Sequence, residues 1–201
     1  MIIGPKYKIA RRLGSGVFEK TSGQKFALAQ GRKKGFERRS QKSDYGKELL
    51  EKQKARFTYG LTESQFSKYA IAAGAKRGAD QQNLLYQTLE WRLDNAILRA
   101  GFAYTRGAAR QMVSHGHFTV NGKRVNIPSF QLKIGDKIEL RKGSAGKAIF
   151  TVPDERLKDY LPPSWLTIDR EKKLVTVAGA PKLKAEELTF DIGQVLEFYS
   201  R

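Results

Sequence analysis

A chain of 201 residues is long enough to bury one or two hydrophobic cores. Its 38 lysines and arginines against 20 acidic residues give a formal charge of +18 and a pI near 10.1, well past what solubility requires, so its counterpart is expected to be a polyanion. No apolar run approaches the roughly 18–20 residues of a membrane span, and Gly4, Pro5, Lys6, Lys8, Arg11 and Arg12 interrupt the start too often for a secretory signal. A cytoplasmic protein with no membrane partner is expected. The lack of cysteine excludes disulfides, thiolate zinc sites and cysteine nucleophiles.

The charge is unevenly placed. Met1–Arg56 carries a net +11, Phe57–Trp91 zero, Arg92–Phe150 +8 and Thr151–Arg201 −1. The first block mixes basic residues with Gly14, Gly16, Gly23, Gly31 and Gly35 and shows little apolar periodicity. Residues 1–43 are therefore predicted to be a basic arm that orders on RNA phosphates, not on a core of its own.

A helical lobe is predicted over 44–91. Ser43 or Asp44 can cap a helix over Lys47–Phe57, in which Glu48 and Lys52 form an i,i+4 pair and which Gly60 ends. Thr62-Glu63-Ser64-Gln65 has the form of a capping box, opening a helix with Phe66, Tyr69, Ala70 and Ala73 on one face. Asp80 can cap a third, with Leu84, Leu85, Thr88 and Leu89 inward. Tyr45, Phe57, Tyr59, Phe66 and Tyr69 fall at helical spacing and are read as core, not as base-stacking platforms.

Arg92–Ala100 reads as a helix with Leu93, Ile97 and Leu98 inward, closed by Gly101; Thr105 caps another whose Ala108, Ala109, Met112 and Val113 face inward until Gly116. Arg106 and Arg110, four apart, share a face that those apolar residues leave for solvent or a ligand. The pattern then switches to period two. Phe118 and Val120, Asn121-Gly122, and Val125 and Ile127 make a hairpin with a type I′ turn, carrying Lys123 and Arg124 at its edge. A further strand pair is expected around Gly135-Asp136, with Ile134, Ile138 and Leu140. Near the C-terminus, Trp165–Ile168 and Leu174–Val177, joined by a charged turn over Arg170–Lys173, suggest a hairpin within an extension at 151–185. Asp191 and Gln194 can cap a last helix with Ile192, Val195, Leu196 and Tyr199 inward, although a strand through Val195–Tyr199 also fits; the lobe is expected to be rejoined by 186–201.

The segment RLDNAILRAGFAYTRGAARQMVSHGHFTVNGKRVNIPSFQLKIGDKIELR resembles the RNA-binding module named after ribosomal protein S-four across about fifty residues. Similar modules occur in pseudouridine synthases, a bacterial tyrosyl-transfer-RNA synthetase and a heat-shock RNA-binding protein, so the flanking sequence decides. GPK near the start, SDYGKELLEKQKARFTYGL, NLLYQTLEWRLDN and EFYSR at the end resemble, in the same order, the bacterial-type S-four family of small-subunit ribosomal proteins. The resemblance covers most of the chain except Gly14–Arg39 and Lys142–Ala185. Some members bind zinc through four arm cysteines; this chain is similar to the zinc-free branch. Many also place GQHG before SDYG, where this chain reads GRKKGFERRSQK.

The resemblance implies an α+β fold: a helical lobe with an inserted module of two helices packed on a small antiparallel sheet at 92–150. It also implies a structural constituent of the small ribosomal subunit that binds the 5′ domain of 16S-type ribosomal RNA, nucleates its assembly and contributes to translational accuracy. Such a protein sits beside the messenger-RNA entry channel, near ribosomal proteins S-five and S-three, in a cytoplasmic or plastid ribosome. Recognition is expected to be of backbone and junction shape, because the deep, narrow groove of folded RNA hides base edges. The expected RNA contacts are Arg92, Arg106, Arg110, His115, Lys123 and Arg124 in the module and Lys6, Lys8, Arg11, Arg12, Arg32, Lys33 and Lys34 in the arm. Arg38, Arg39 and Lys42, just before SDYG, match positions that the family uses on structured message. His115 can instead satisfy the carbonyls ending its helix.

No cofactor and no catalysis are expected. The nearest string to a phosphate-cradling loop, Gly143–Ala148, has the wrong spacing and no hydroxyl after its lysine. The only histidines, His115 and His117, have no cysteine and few carboxylates nearby to complete a metal shell or triad.

Overall fold

The computed structural model describes residues 3–21, 23–31, 43–76, 78–147, 150, 161–169, 172–184 and 188–200. The chain forms two compact units, one of residues 1–86 with 183–201 and the other of residues 87–182. Helices in the first and helices on a sheet in the second make the fold α+β.

In the first unit, α1 (Lys6–Leu13) leads through two 3₁₀ turns, Ser15–Val17 and Glu19–Thr21, to α2 (Gln24–Gly31). This corrects the expectation of an arm without a core. Ala10, Leu13, Val17, Phe18 and Phe26 are all buried and pack with Leu50 and Phe57 of α3 (Asp44–Tyr59). The apolar residues are spread over two short helices and the turns between them at irregular spacing, so no single helical period reveals them, and the core they make is completed by a helix that follows.

Three caps set the following helices. Ser43 Oγ accepts from Gly46 N at 3.2 Å to open α3, which ends at Gly60 in the left-handed region (φ 62°). Thr62 Oγ1 accepts from Gln65 N at 3.3 Å to open α4 (Glu63–Gly74), and Asp80 Oδ1 accepts from Asn83 N at 3.1 Å to open α5 (Gln81–Glu90). The C-terminal segment is a helix, α8 (Ile192–Ser200), whose first amides, Gly193 N and Gln194 N, donate to Asp191 Oδ1 at 2.7 and 3.3 Å. It packs on α3 and α4, with Tyr199 against Phe66 and Val195 buried.

One polar knot ties these three helices. Glu63 Oε1 accepts from the Tyr199 hydroxyl at 2.6 Å and from Lys52 Nζ at 3.0 Å, while Arg56 Nη1 stands 3.6 Å from Glu63 Oε2. Lys52 therefore pairs across to the next helix, and its ammonium also lies 4.6 Å from the Phe198 ring centroid.

In the second unit, α6 (Leu93–Arg99) and α7 (Arg106–Ser114) pack on one face of an antiparallel sheet of order β2-β1-β3-β5-β4. The strands are β1 (Phe118–Val120), β2 (Lys123–Val125), β3 (Lys137–Leu140), β4 (Leu166–Asp169) and β5 (Leu174–Val177). The β1–β2 turn has Asn121 at φ 49° and Gly122 at φ 78°, the two positive angles that a type I′ turn demands. Strand β2 ends at Val125, and Ile127 is exposed, contrary to its expected place in the hairpin. Ile134 is exposed too, and no hairpin forms across Gly135-Asp136; β3 pairs with β1 and with β5 instead. The C-terminal hairpin is thus part of this sheet, with Trp165, Leu166, Val175 and Val177 in the same core as Phe118 and Ile138.

Beneath the helices lies a buried ion pair. Arg92, 2% exposed, donates through Nε and Nη2 to Asp94 Oδ1 and Oδ2 at 3.1 and 2.8 Å. Arg92 was expected to contact RNA; its burial makes it a structural cation instead. It immediately precedes α6 and forms an isolated antiparallel bridge with Gln131.

Two outcomes follow from these pairs. Burial raises the pKa of Glu63, but the hydrogen bonds from Tyr199 and Lys52 and the charges of Lys52 and Arg56 outweigh it and hold the carboxyl below its ordinary value. Its stabilisation is complete above the unfolded glutamate value, about 4.3, and is lost as pH falls through the lower folded value. Glu63→Gln should therefore flatten the acid limb of stability against pH in urea melts, and an unaltered limb would rule out this role. Asp94→Asn keeps the shape but leaves Arg92 buried without its counter-charge, which should cost about 3–5 kcal/mol; a loss below about 1 kcal/mol would show that the pair is dispensable.

Candidate nucleic-acid interface

In the second unit the basic surface is built from α7 and the β1–β2 hairpin. Thr105 Oγ1 accepts from Ala108 N at 3.1 Å and fixes where α7 starts, so Ala109, Met112 and Val113 point into the core while Arg106 and Arg110 lie along the flank. Neither arginine is loose. Arg110 donates through Nε to Asp94 Oδ2 at 2.8 Å, its Nη2 standing 2.7 Å from the same oxygen; Arg106 Nε donates to Asn95 Oδ1 at 3.0 Å. The face that periodicity left to solvent is thus partly buried and braced from α6. Asp94 serves two guanidiniums at once, one wholly inside and one at the surface.

A parallel brace lies beside it. Glu90, fully buried, accepts from Arg99 Nε and Nη2 at 2.9 and 3.2 Å, and Asn95 Nδ2 donates to the Glu90 carbonyl at 3.3 Å. Arg99 was not among the expected contacts. The buried acids that hold these arginines stand at Glu90 and Asp94, four apart and flanking Arg92, a spacing that sequence alone gives no reason to bury.

At the other end of α7, Gly116 takes φ 67°, and any side chain there would collide with the Arg124 guanidinium, which lies across it. Arg124 Nη2 donates to the His115 carbonyl at 3.3 Å, so the hairpin and the end of α7 are held together. Exposed His115 and Arg124 are brought side by side, with Lys123 exposed in the same strand as Arg124. His117, by contrast, is buried, and its Nδ1 lies 3.0 Å from Ser144 Oγ. Burial lowers its pKa, and the positive charges of Lys147, His115, Arg141 and Arg124 push it the same way.

In the first unit, Lys8, Arg11 and Arg12 are exposed on α1 at i, i+3 and i+4, one basic face opposite buried Ala10 and Leu13. Lys6 is half-buried, its ammonium 5.7 Å from the Phe18 ring centroid. Arg32, Lys33, Lys34, Arg38, Arg39 and Lys42 lie outside the described residues. Among the described residues no three metal-ligating side chains gather, and no helix is long and apolar enough to cross a membrane.

What these units can do chemically is present fixed cations at set spacings. Residues 91–138 match the model of the S4 domain, and residues 1–90 match that of the ribosomal protein S4/S9 N-terminal domain. The small ribosomal subunit protein uS4 of Akkermansia muciniphila is 40% identical over 201 residues, covering 98% of each chain. That of Roseiflexus castenholzii is 41% identical over 205 residues, with 99% of this chain and 98% of the relative covered, and that of a Sulfurihydrogenibium species is 42% identical over 203 residues, with 98% of each covered. These matches run from one end of the sequence to the other, through both units and not through the RNA-binding module alone. The chain accordingly belongs to the small ribosomal subunit protein uS4 family, a family of ribosomal proteins and not of enzymes.

Proposed function

We propose that this chain is a structural constituent of the small ribosomal subunit that binds the 5′ domain of 16S-type ribosomal RNA and nucleates folding of the subunit body. The observation that carries the reading is the braced basic flank of α7, held by Asp94 and Asn95, within a chain about 40% identical to uS4 proteins over nearly its whole length. A ligand that is itself an irregular anionic surface is matched best by cations whose positions are set in advance, because less ordering entropy is lost when they bind. Each lysine or arginine that neutralises a phosphate releases condensed counterion, so affinity arises largely from charge and falls with salt.

The same family membership supports a place beside the messenger-RNA entry channel, neighbours equivalent to ribosomal proteins S-five and S-three, and a contribution to translational accuracy. Arg38, Arg39 and Lys42 are the residues proposed to face message there. Lys6, Lys8, Arg11, Arg12, Arg32, Lys33 and Lys34 extend the ribosomal-RNA contact from the first unit, and Arg106, Arg110, His115, Lys123 and Arg124 supply it from the second. The compartment is the cytoplasm, or the stroma if the gene is plastid-borne.

Sucrose-gradient fractionation checks the assignment: the chain should run in the small-subunit peak at one copy per subunit, and a chain that stays at the top of the gradient would refute it. Replacing Lys8, Arg11 and Arg12 by alanine removes three exposed charges without touching the packed side of α1. Binding to a 5′-domain transcript should weaken, and the slope of log K against log salt should flatten by about 0.7–0.9 for each phosphate that is no longer neutralised. An unchanged slope would exclude this helix from the interface.

A further inference from the structure

Three cations, Arg141, Lys142 and Lys147, lie outside the surface assigned so far and adjoin it at Arg124. After β3 the chain enters a tight turn, Arg141-Lys142-Gly143-Ser144-Ala145-Gly146-Lys147, with a 3₁₀ segment at Lys142–Ser144. Two bonds pin this turn to the end of β1. Arg141 N donates to the His117 carbonyl at 2.9 Å, and Ser144 Oγ meets His117 Nδ1 at 3.0 Å. Both side chains of the second contact are buried, Ser144 completely, and the imidazole stands edge-on to Phe150, which in turn abuts Phe118. A serine in a glycine-rich basic turn is usually solvated; this one is a peg.

Lys142 and Lys147 are exposed on the pegged turn, and Arg141 is half-buried. Arg141 N donates to the His117 carbonyl and Arg124 Nη2 to the His115 carbonyl, so β2 and the turn bring their cations to the same end of α7. Burial first, and then the charges of Lys147, His115, Arg141 and Arg124, disfavour protonation of the His117 ring. Unlike Arg92, Arg99 and Arg110, none of Arg124, Arg141, Lys142 and Lys147 forms an ion pair among the described residues. Glu139, in register across the sheet, is two strands from Arg124 with Thr119 between them. Arg141 Nε is buried and has no hydrogen-bond partner, so no protein acceptor among the described residues holds that nitrogen. Gly143 and Gly146 leave open space where side chains would stand, so a bulky anion can approach the turn.

We propose that Arg124, Arg141, Lys142 and Lys147, arranged around the His117–Ser144 contact, form a further binding site for RNA backbone phosphates, with Ser144 as its positioning residue. Like charges held together by a buried polar contact repel one another in the unbound protein, and that repulsion is relieved only when an anion sits among them. This site deepens the ribosomal-RNA reading and rests on it.

The test uses the full chain and a small-subunit 5′-domain transcript, with affinity measured from low to physiological salt. Lys142→Ala with Lys147→Ala changes only exposed side chains; it should not lower the melting temperature, and it should flatten the salt slope by about 1.4–1.8, two phosphates at roughly 0.7–0.9 each. Ser144→Ala removes no charge, yet it should flatten the slope by at least about 0.7, the equivalent of one phosphate, and should add nothing in the doubly substituted background. Steep wild-type binding with an unaltered slope in the double variant overturns the site. A Ser144→Ala protein that binds more weakly at an unaltered slope overturns the positioning role. Wild-type protein with no salt-dependent binding overturns the ribosomal-RNA reading itself.

Discussion

Positive charge repels itself, and a module carrying a net +8 over fifty-nine residues must hold that charge in place against the repulsion. The second unit does so from below. Asp94 and Glu90 are sunk in the protein, and each draws the nitrogen end of an arginine onto a fixed oxygen. A buried ion pair adds little net stability, because the cost of desolvating both charges offsets their attraction. Its effect here is geometric: Arg110 is anchored on one side by Asp94, Arg106 by Asn95, and the spacing between them is that of α7 itself. The scaffold does not let the flank collapse or splay, which is what the proposed contact with a folded RNA requires of it.

The helical unit solves a different problem with the same means. Two successive helices, α3 and α4, and the C-terminal α8 converge on Glu63, which collects a phenol, an ammonium and a guanidinium. Around it the contacts are aromatic, Tyr59 with Phe190 and Phe66 with Tyr199, so the chain's last residues complete a core that its middle begins. Here too the basic residues that remain outward, Lys8, Arg11 and Arg12, are carried on a helix whose other side is buried.

Features coded locally were legible in the sequence. Ser43, Thr62, Asp80 and Thr105 each cap the helix that their spacing implied, because a cap depends only on residues two or three positions away. Asn121-Gly122 specified its turn for the same reason. Arg106 and Arg110 fall on one flank because helical periodicity alone puts them there. What escaped depends on contacts across long stretches of chain. The packing of Phe18 and Phe26 requires Leu50 and Phe57, the pairing of β3 with β5 joins residues nearly forty apart, and Ser144 meets His117 across twenty-seven positions. Arg92 shows the limit most plainly. In a basic sequence it looks like every other arginine, and only the fold reveals that Asp94, two residues on, holds it inside.

The central claim is that pre-positioned cations recognise the form of one folded RNA and not negative charge in general. Competition binding measures this directly: the purified chain, a labelled 5′-domain transcript of small-subunit ribosomal RNA, and an excess of arbitrary RNA duplex, at physiological ionic strength. The transcript should stay bound, with a preference of at least about a thousandfold, the lower end of what specific nucleic-acid binders reach. Equal displacement by the duplex would contradict the claim and reduce the basic surface to a nonspecific polycation.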